Sequence, residues 1–187
     1  LCMRCAEGGF GNCIKYRCIH NSKIRSVLGS IEGALYHALK TYRKVDKIIC
    51  PSEFMNKALS CRPSLRNKTV TLYNFIDGAE DRQGVEKKEY ILYFGRYSEE
   101  KGVETLLEVC RRLPDIPFIF AGSGPLKKKV GTCPNIKDKG FLSGKELKKL
   151  IQEASFVVFP SEWYENCPFS VMEAQMYHTP VVASDLG

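Results

Sequence analysis

Tyr90-Ile91-Leu92-Tyr93-Phe94-Gly95-Arg96 decides the reading of this 187-residue chain. It is followed by a helical spacing over 102–113 and then by Pro117-Phe118-Ile119-Phe120-Ala121-Gly122. Both strand-like stretches are continuous apolar runs, with no polar alternation. A strand that is apolar on both faces is buried on both, as in a parallel sheet covered by crossover helices. The alternation continues with a helix over 145–154, a strand over 156–159, a helix over 169–177 and a strand over 180–183. The expected fold class is therefore α/β.

Working outward, residues 79–89 are polar and strongly charged, contain Gly84, and read as a linker. Residues 1–78 form a separate unit ahead of it, and 90–187 the unit behind. In the first unit, Asn21-Ser22 signals a helix start. Ile24, Val27, Leu28, Ile31, Leu35, Ala38, Leu39 and Tyr42 follow at helical spacing. This stripe is expected to pack into a core, in preference to lying on a membrane surface. Short strands are expected over 47–50 and 70–76, with a helix between them that starts at Pro51-Ser52.

Hydrophobic residues make up 44% of the chain and charged residues 26%, a globular composition. No run approaches the ~18 apolar residues of a membrane-spanning helix. Residues 1–78 carry 13 Lys/Arg against 5 Asp/Glu, whereas residues 79–187 carry 15 against 16. The first unit thus has the charge to face an anionic partner, although a solvated lysine-rich face has the same composition. The chain opens at Leu1 in mid-motif and stops at Asp185-Leu186-Gly187, where a strand-to-helix turn is expected to continue. It reads as a fragment. Most of the nine cysteines are scattered, which favours a reducing, cytoplasmic setting over a disulfide framework.

Two places carry chemistry. Gly95-Arg96 and Lys101-Gly102 bracket a strand-to-helix turn, and ligands of open α/β sheets bind at the carboxyl ends of strands. Two cations and two glycines there suit a diphosphate, although a surface Arg and Lys in such a turn are equally ordinary. The second place is Pro160-Ser161-Glu162-Trp163-Tyr164-Glu165-Asn166-Cys167-Pro168-Phe169-Ser170-Val171-Met172-Glu173. Here a strand ends, a polar loop follows, and a helix begins near Pro168, which is expected in its first turn. The N–H groups of Phe169, Ser170 and Val171 are expected to point at an anion. Glu165 and Glu173 can each accept hydrogen bonds from sugar hydroxyls. Taken singly, each also reads as a loop carboxylate or a helix-dipole partner.

In combination these fragments resemble a known family. Gly95-Arg96 through Lys101-Gly102, Ala121-Gly122-Ser123-Gly124-Pro125, Phe141-Leu142-Ser143-Gly144, Glu165 with Glu173 eight residues on, and Pro180-Val181-Val182 occur in the order found in glycosyltransferase family 4. These are the retaining "group 1" enzymes. The resemblance covers about residues 90–187. Asp46 to Ser52 and Asn74-Phe75-Ile76-Asp77 are similar to the end of the amino-terminal domain of a bacterial polysaccharide subset.

The resemblance implies the GT-B fold of two Rossmann-like domains. Residues 1–78 would be the end of the acceptor-side domain, and 90–187 a truncated donor-binding domain. It implies that Arg96 and Lys101 hold the donor diphosphate beside Gly95 and stabilise the departing nucleotide. Glu173 would bind the ribose, Glu165 would face the transferred sugar, and the backbone of Pro168, Phe169 and Ser170 would meet sugar or phosphate. Phe141 and Leu142 would lie near the base. The expected reaction moves a sugar from a nucleotide-sugar donor to a glycan or lipid-linked acceptor in cell-surface polysaccharide synthesis. Configuration would be retained, with no cofactor or metal in catalysis and with peripheral contact at the inner face of the cell membrane. The fragment alone is expected to lack transferase activity.

Cys2, Cys5, Cys13 and Cys18 could supply the four thiolates of a structural zinc site, or remain reduced thiols. They leave open a second class of reading, a zinc-containing basic module that binds nucleic acid. Against it, the basic residues lie along a helix with its own apolar stripe and lack interleaved aromatics, so no nucleic-acid partner is expected. A GT-B nucleotide-sugar epimerase is the alternative among enzymes.

Overall fold

The apolar runs of the second half become five parallel strands in the computed structural model, which describes residues 4–5, 9–77 and 85–186. Contacts divide the chain into two compact units, Leu1–Tyr73 and Asn74–Gly187. Of the expected 79–89 linker, residues 79–84 lie outside the described residues.

In the second unit, strands β3 (Lys88–Arg96), β4 (Phe118–Ser123), β5 (Ile136–Asp138), β6 (Ala154–Phe159) and β7 (Val181–Ala183) form one sheet in the order β5-β4-β3-β6-β7. Every neighbouring pair is parallel, with Ile91 opposite Phe118 on one side and opposite Phe156 on the other. The chain winds from β3 toward β5, then returns to β6 and winds the other way. The order therefore reverses between β3 and β6, and ligands of such sheets bind outside the carboxyl ends of the strands at that reversal.

Strand β3 explains why its sequence does not alternate. Tyr90, Leu92 and Phe94 point into a core with Ile151 of α6 (Gly144–Glu153) and Ala174 of α7 (Phe169–Met176). Tyr93 enters the opposite core with Val103, Leu106, Leu107 and Cys110 of α4 (Val103–Arg112), and with Val130 of α5 (Lys127–Val130). Both faces are thus covered. Helix α4 starts one residue later than the spacing predicts, because Glu99–Lys101 form a 3₁₀ turn before it. Gly102 ends that turn at φ +66°, where a Cβ would sit 1.8 Å from the Pro160 carbonyl oxygen. Only glycine allows this contact, and the contact draws the start of α4 against the end of β6.

The first unit contains α1 (Gly11–Lys15), α2 (Lys23–Ala38), β1 (Ile48–Cys50), α3 (Glu53–Ser60) and β2 (Thr69–Thr71). Strands β1 and β2 pair in parallel around α3, whose first turn is capped by Ser52 Oγ accepting from the Met55 N–H at 3.1 Å. The strand expected over 70–76 is only Thr69–Thr71, and residues 72–77 continue without regular structure.

Helix α2 corrects a second expectation. Its apolar stripe does not pack into a core: Ile24, Leu28, Ile31, Leu35 and Leu39 are all more than half exposed. The helix packs instead through small residues. Ser26 Oγ accepts from the Ile19 N–H at 3.1 Å, Ser30 Oγ donates to the Phe10 carbonyl at 2.9 Å, and both serines are buried. Gly29 and Gly33 leave room for the Ile19 and Phe10 side chains on the same face. Close approach with satisfied hydroxyls fixes this face, although the periodicity of large residues points to another.

Candidate functional site

The candidate site lies at the carboxyl ends of β3, β4 and β6, where the strand order predicts it. Two cavities meet there and share Phe94, Gly95 and Arg96.

The first cavity has a volume of about 410 Å³ and lies over the ends of β3 and β4. Its floor is Gly95, Ala121 and Gly122, and its rim is Ser123-Gly124-Pro125 on one side and Phe141, Leu142 and Leu147 on the other. Gly122 keeps the floor flat, since a Cβ there would be 1.9 Å from the Gly95 carbonyl oxygen. The Phe141 rim is tied down from behind. Gly122 N–H donates to the Gly140 carbonyl at 2.7 Å, and Gly140 N–H donates to Asp138 Oδ1 at 2.8 Å. The Tyr97 hydroxyl donates to the same carboxylate oxygen at 2.9 Å. Phe141 itself is 74% exposed, a large aromatic face held at a cavity mouth with nothing stacked on it among the described residues.

The second cavity, about 500 Å³, lies between the ends of β3 and β6 and the start of α7. Its polar groups are Asn74, Arg96, Lys101, Glu165, Asn166 and Ser170, and its aromatics include Trp163, Tyr164 and Phe169. Lys101 Nζ lies 2.6 Å from Glu165 Oε1, and the buried Ser161 hydroxyl donates to that same oxygen at 2.6 Å. The Glu165 backbone N–H also donates to the Leu186 carbonyl at 3.2 Å. Glu165 is therefore held on three sides, and Lys101 is neutralised by it. Arg96 is exposed and its guanidinium makes no hydrogen bond or ion pair among the described residues, so it is the cation left available to an incoming anion. Its backbone is fixed by the buried Tyr93, whose hydroxyl donates to the Arg96 carbonyl at 2.8 Å. Burial, then the Glu100 and Glu165 carboxylates, push the Tyr93 hydroxyl far above the ordinary phenol range, so it remains a donor at any working pH.

The start of α7 differs in detail from expectation. Pro168 is the cap residue, at φ −69° and ψ 127°, and does not occupy the first turn. Val171 N–H is spent on the Pro168 carbonyl at 3.2 Å, so the N–H groups of Phe169 and Ser170 remain to face the cavity end. Glu173, one turn further on, lines neither cavity. It is half-buried, and burial raises its carboxyl above the usual carboxylate range.

The structure thus brings Gly95, Arg96, Lys101, Glu165, Pro168, Phe169 and Ser170 to one cavity and Phe141 and Leu142 to its neighbour. Sequence reasoning missed Asn74, Ser161 and the Ser123-Gly124-Pro125 rim. Asn74 and Ser161 act through partners far along the chain or through buried hydroxyls. The rim carried a visible signal, two glycines and a proline directly after a strand. Of the candidate zinc ligands, Cys2 lies outside the described residues; Cys5, Cys13 and Cys18 are in no disulfide bond. Among the described residues no three His, Cys, Asp or Glu side chains are grouped to hold a metal ion, and no helix is long and apolar enough to cross a membrane.

Comparison with known proteins agrees with this geometry. The alpha-D-kanosaminyltransferase of Streptomyces kanamyceticus is 33% identical over 119 residues, 57% of this chain and 30% of that protein. An uncharacterized glycosyltransferase of Methanocaldococcus jannaschii is 29% identical, covering 90% of this chain and 51% of that protein. The chain thus spans about half or less of the curated relatives it matches. Among solved structures, a mutant of S. aureus TarM in complex with fondaparinux, alpha-GlcNAc-glycerol and UDP superposes with a TM-score of 0.65 at 21% identity, over 87% of this chain and 33% of that one. The pneumococcal O-GlcNAc transferase GtfA in complex with UDP and GlcNAc gives 0.62 at 22%, over 77% and 31%. These likenesses establish the fold as GT-B. The family profile "Glycosyl transferases group 1" matches residues 79–187, more than half of the chain and all of the strands that build the two cavities, and the chain therefore belongs to the group 1 glycosyltransferases.

Proposed function

We propose that the protein transfers a sugar from a nucleotide-sugar donor to a glycan or lipid-linked acceptor, with the donor lying across the two joined cavities. The observation that carries this reading is their shared wall. A nucleotide sugar is an aromatic base on a ribose and a hydroxyl-rich sugar, joined by a charged diphosphate, and the cavities offer an aromatic-rimmed apolar slot and a polar chamber joined at Gly95-Arg96. The base lies against Phe141 and Leu142. The diphosphate crosses Gly95, where the backbone carries no Cβ, and meets Arg96 and the N–H groups of Phe169 and Ser170. The sugar enters the chamber beside Glu165. Glu173 lines neither cavity, so its contact with the ribose hydroxyls rests on the family resemblance and not on the cavity lining.

In this reading the configuration at the anomeric carbon is retained. The acceptor hydroxyl adds to that carbon on the face from which the nucleoside diphosphate departs. The bond from the anomeric carbon to phosphate oxygen breaks, and the hydroxyl proton passes to the departing phosphate. Arg96 stabilises the charge that develops on the leaving group, with Lys101 as the second cation once phosphate competes with Glu165. No metal is needed for that charge, so EDTA treatment should leave donor affinity unchanged, and a loss beyond about tenfold would count against the proposal. A role in cell-surface polysaccharide synthesis is what the family resemblance implies, and contact with the cytoplasmic face of the membrane is supported by the basic balance of the first unit. Sedimentation with anionic vesicles at low salt tests that contact, and failure to sediment would contradict it.

The site itself is tested by amide chemical-shift mapping with UDP, the probe present in the TarM and GtfA structures. Shifts at Gly95, Arg96, Phe141 and Ser170 are expected. Shifts confined to the lysine-rich cavity around Lys137, Lys139 and Lys149 would contradict it.

A further inference from the structure

We infer that Asn74 is a positioning residue for the sugar chamber: it clamps the Asn166–Cys167 turn and thereby holds the first N–H groups of α7 where the donor needs them. The inference rests on the donor reading above.

Three observations carry it. The Asn74 side-chain amide donates to two carbonyls, those of Cys167 at 2.9 Å and Asn166 at 3.4 Å. Both acceptors are carbonyls, so only the amide nitrogen can face them and the orientation of the side chain is fixed. The pair is non-local, 93 residues apart for Cys167, and Asn74 itself lines the chamber.

Next, Cys167 sits at φ +54°, a left-handed conformation that a side chain disfavours. It also directly precedes Pro168, whose ring restricts the preceding residue to extended conformations. The turn is thus held in a shape its own sequence resists, and the Asn74 amide is positioned to hold it. The Cys167 thiol reinforces the contact, lying 3.9 Å from the Asn74 carbonyl oxygen and 3.5 Å from the Met172 sulfur inside α7.

Finally, what the turn controls is the aim of the helix. Cys167 and Pro168 immediately precede Phe169 and Ser170, the residues whose N–H groups remain available at the chamber. If Cys167 relaxed to an extended conformation, those two donors would turn away from the cavity, while Gly95, Arg96 and the Phe141 rim would stay in place. Asn74 therefore bears on the sugar-phosphate end of the donor and not on the base end.

The experiment compares Asn74→Ala, Cys167→Gly and the double variant in the whole chain. Without ligand, Asn74→Ala should shift the Phe169 and Ser170 amide resonances and speed their hydrogen exchange. Glycine adopts φ > 0 without strain, so the double variant should recover the wild-type positions. In calorimetry, Asn74→Ala should weaken UDP-GlcNAc about tenfold while changing uridine, which lacks the diphosphate, less than about threefold, with recovery in the double variant. A residue that merely stabilised the fold would weaken both ligands alike and would not be rescued by glycine at position 167. Unmoved Phe169 and Ser170 resonances in Asn74→Ala would overturn the inference. So would loss of sugar-conjugate binding that glycine does not restore, the mark of direct contact between Asn74 and the sugar. If the wild-type chain binds neither probe, the donor reading is what fails, and the ligand-free resonances still decide the clamp.

Discussion

At the scale of the residue, the site is a set of charges in different states of satisfaction. Glu165 is held by Lys101 and Ser161, whereas the Arg96 guanidinium has no hydrogen bond or ion pair among the described residues. Replacing Arg96 should therefore cost binding and leave the fold intact. Arg96→Ala is expected to lose about 10- to 100-fold in nucleoside diphosphate affinity, the worth of charge-assisted hydrogen bonds. Its melting temperature should be nearly unchanged, and a large drop would show that the guanidinium has a structural partner. Glu173 gives a pH signature. Burial raises its pKa, so the native state holds that proton more tightly than the unfolded chain. Stability should fall as pH rises from the unfolded carboxylate pKa through the raised native one. If Glu173 meets the ribose as proposed, the ribose hydroxyls donate to its ionised form, and nucleotide affinity should rise over the same interval. Glu173→Gln should abolish both trends, as read from melting temperature and calorimetry against pH. Persistence of either trend would assign it to another group.

At the scale of the element, much was legible. Continuous apolar runs announced β3, β4 and β6, because burial on both faces leaves no position for a polar residue. The turn after β3 was legible too, since glycine and cations at a strand's carboxyl end are a local pattern. Contacts made across the chain were not legible: Gly102 against Pro160, or Asn74 on the turn before α7. Nothing near Gly102 in sequence reveals the carbonyl 1.8 Å from its missing Cβ. Gly102→Ala should accordingly destabilise the second unit by at least about 2 kcal/mol in urea unfolding, since it adds both a clash and an unfavourable φ. Helix α2 misled for a different reason. Its large apolar residues have helical period, but period identifies a face without naming what covers it. Ser26 and Ser30 chose the packed face by finding hydrogen bonds that larger residues would have blocked. Leu28→Ala, on the exposed stripe, should thus change stability by less than about 0.5 kcal/mol, whereas Leu107→Ala in the buried α4 face should cost about 2–5 kcal/mol. A large loss at Leu28 would place a partner on that stripe.

At the scale of the whole molecule, the division of labour follows the charge. The first unit carries the excess of lysine and arginine; the second is near neutrality and holds the two joined cavities. A donor site built within one unit has a testable consequence, because it should bind nucleotide in this chain as it stands. The most direct measurement is calorimetric titration of the chain with UDP, GDP and ADP, alongside Arg96→Ala and Phe141→Ala. The account predicts micromolar to millimolar binding of one nucleoside diphosphate, weakened about tenfold or more by each substitution. A folded chain whose nucleotide affinity is untouched by both substitutions would contradict it, since the ligand would then lie elsewhere than across Gly95-Arg96.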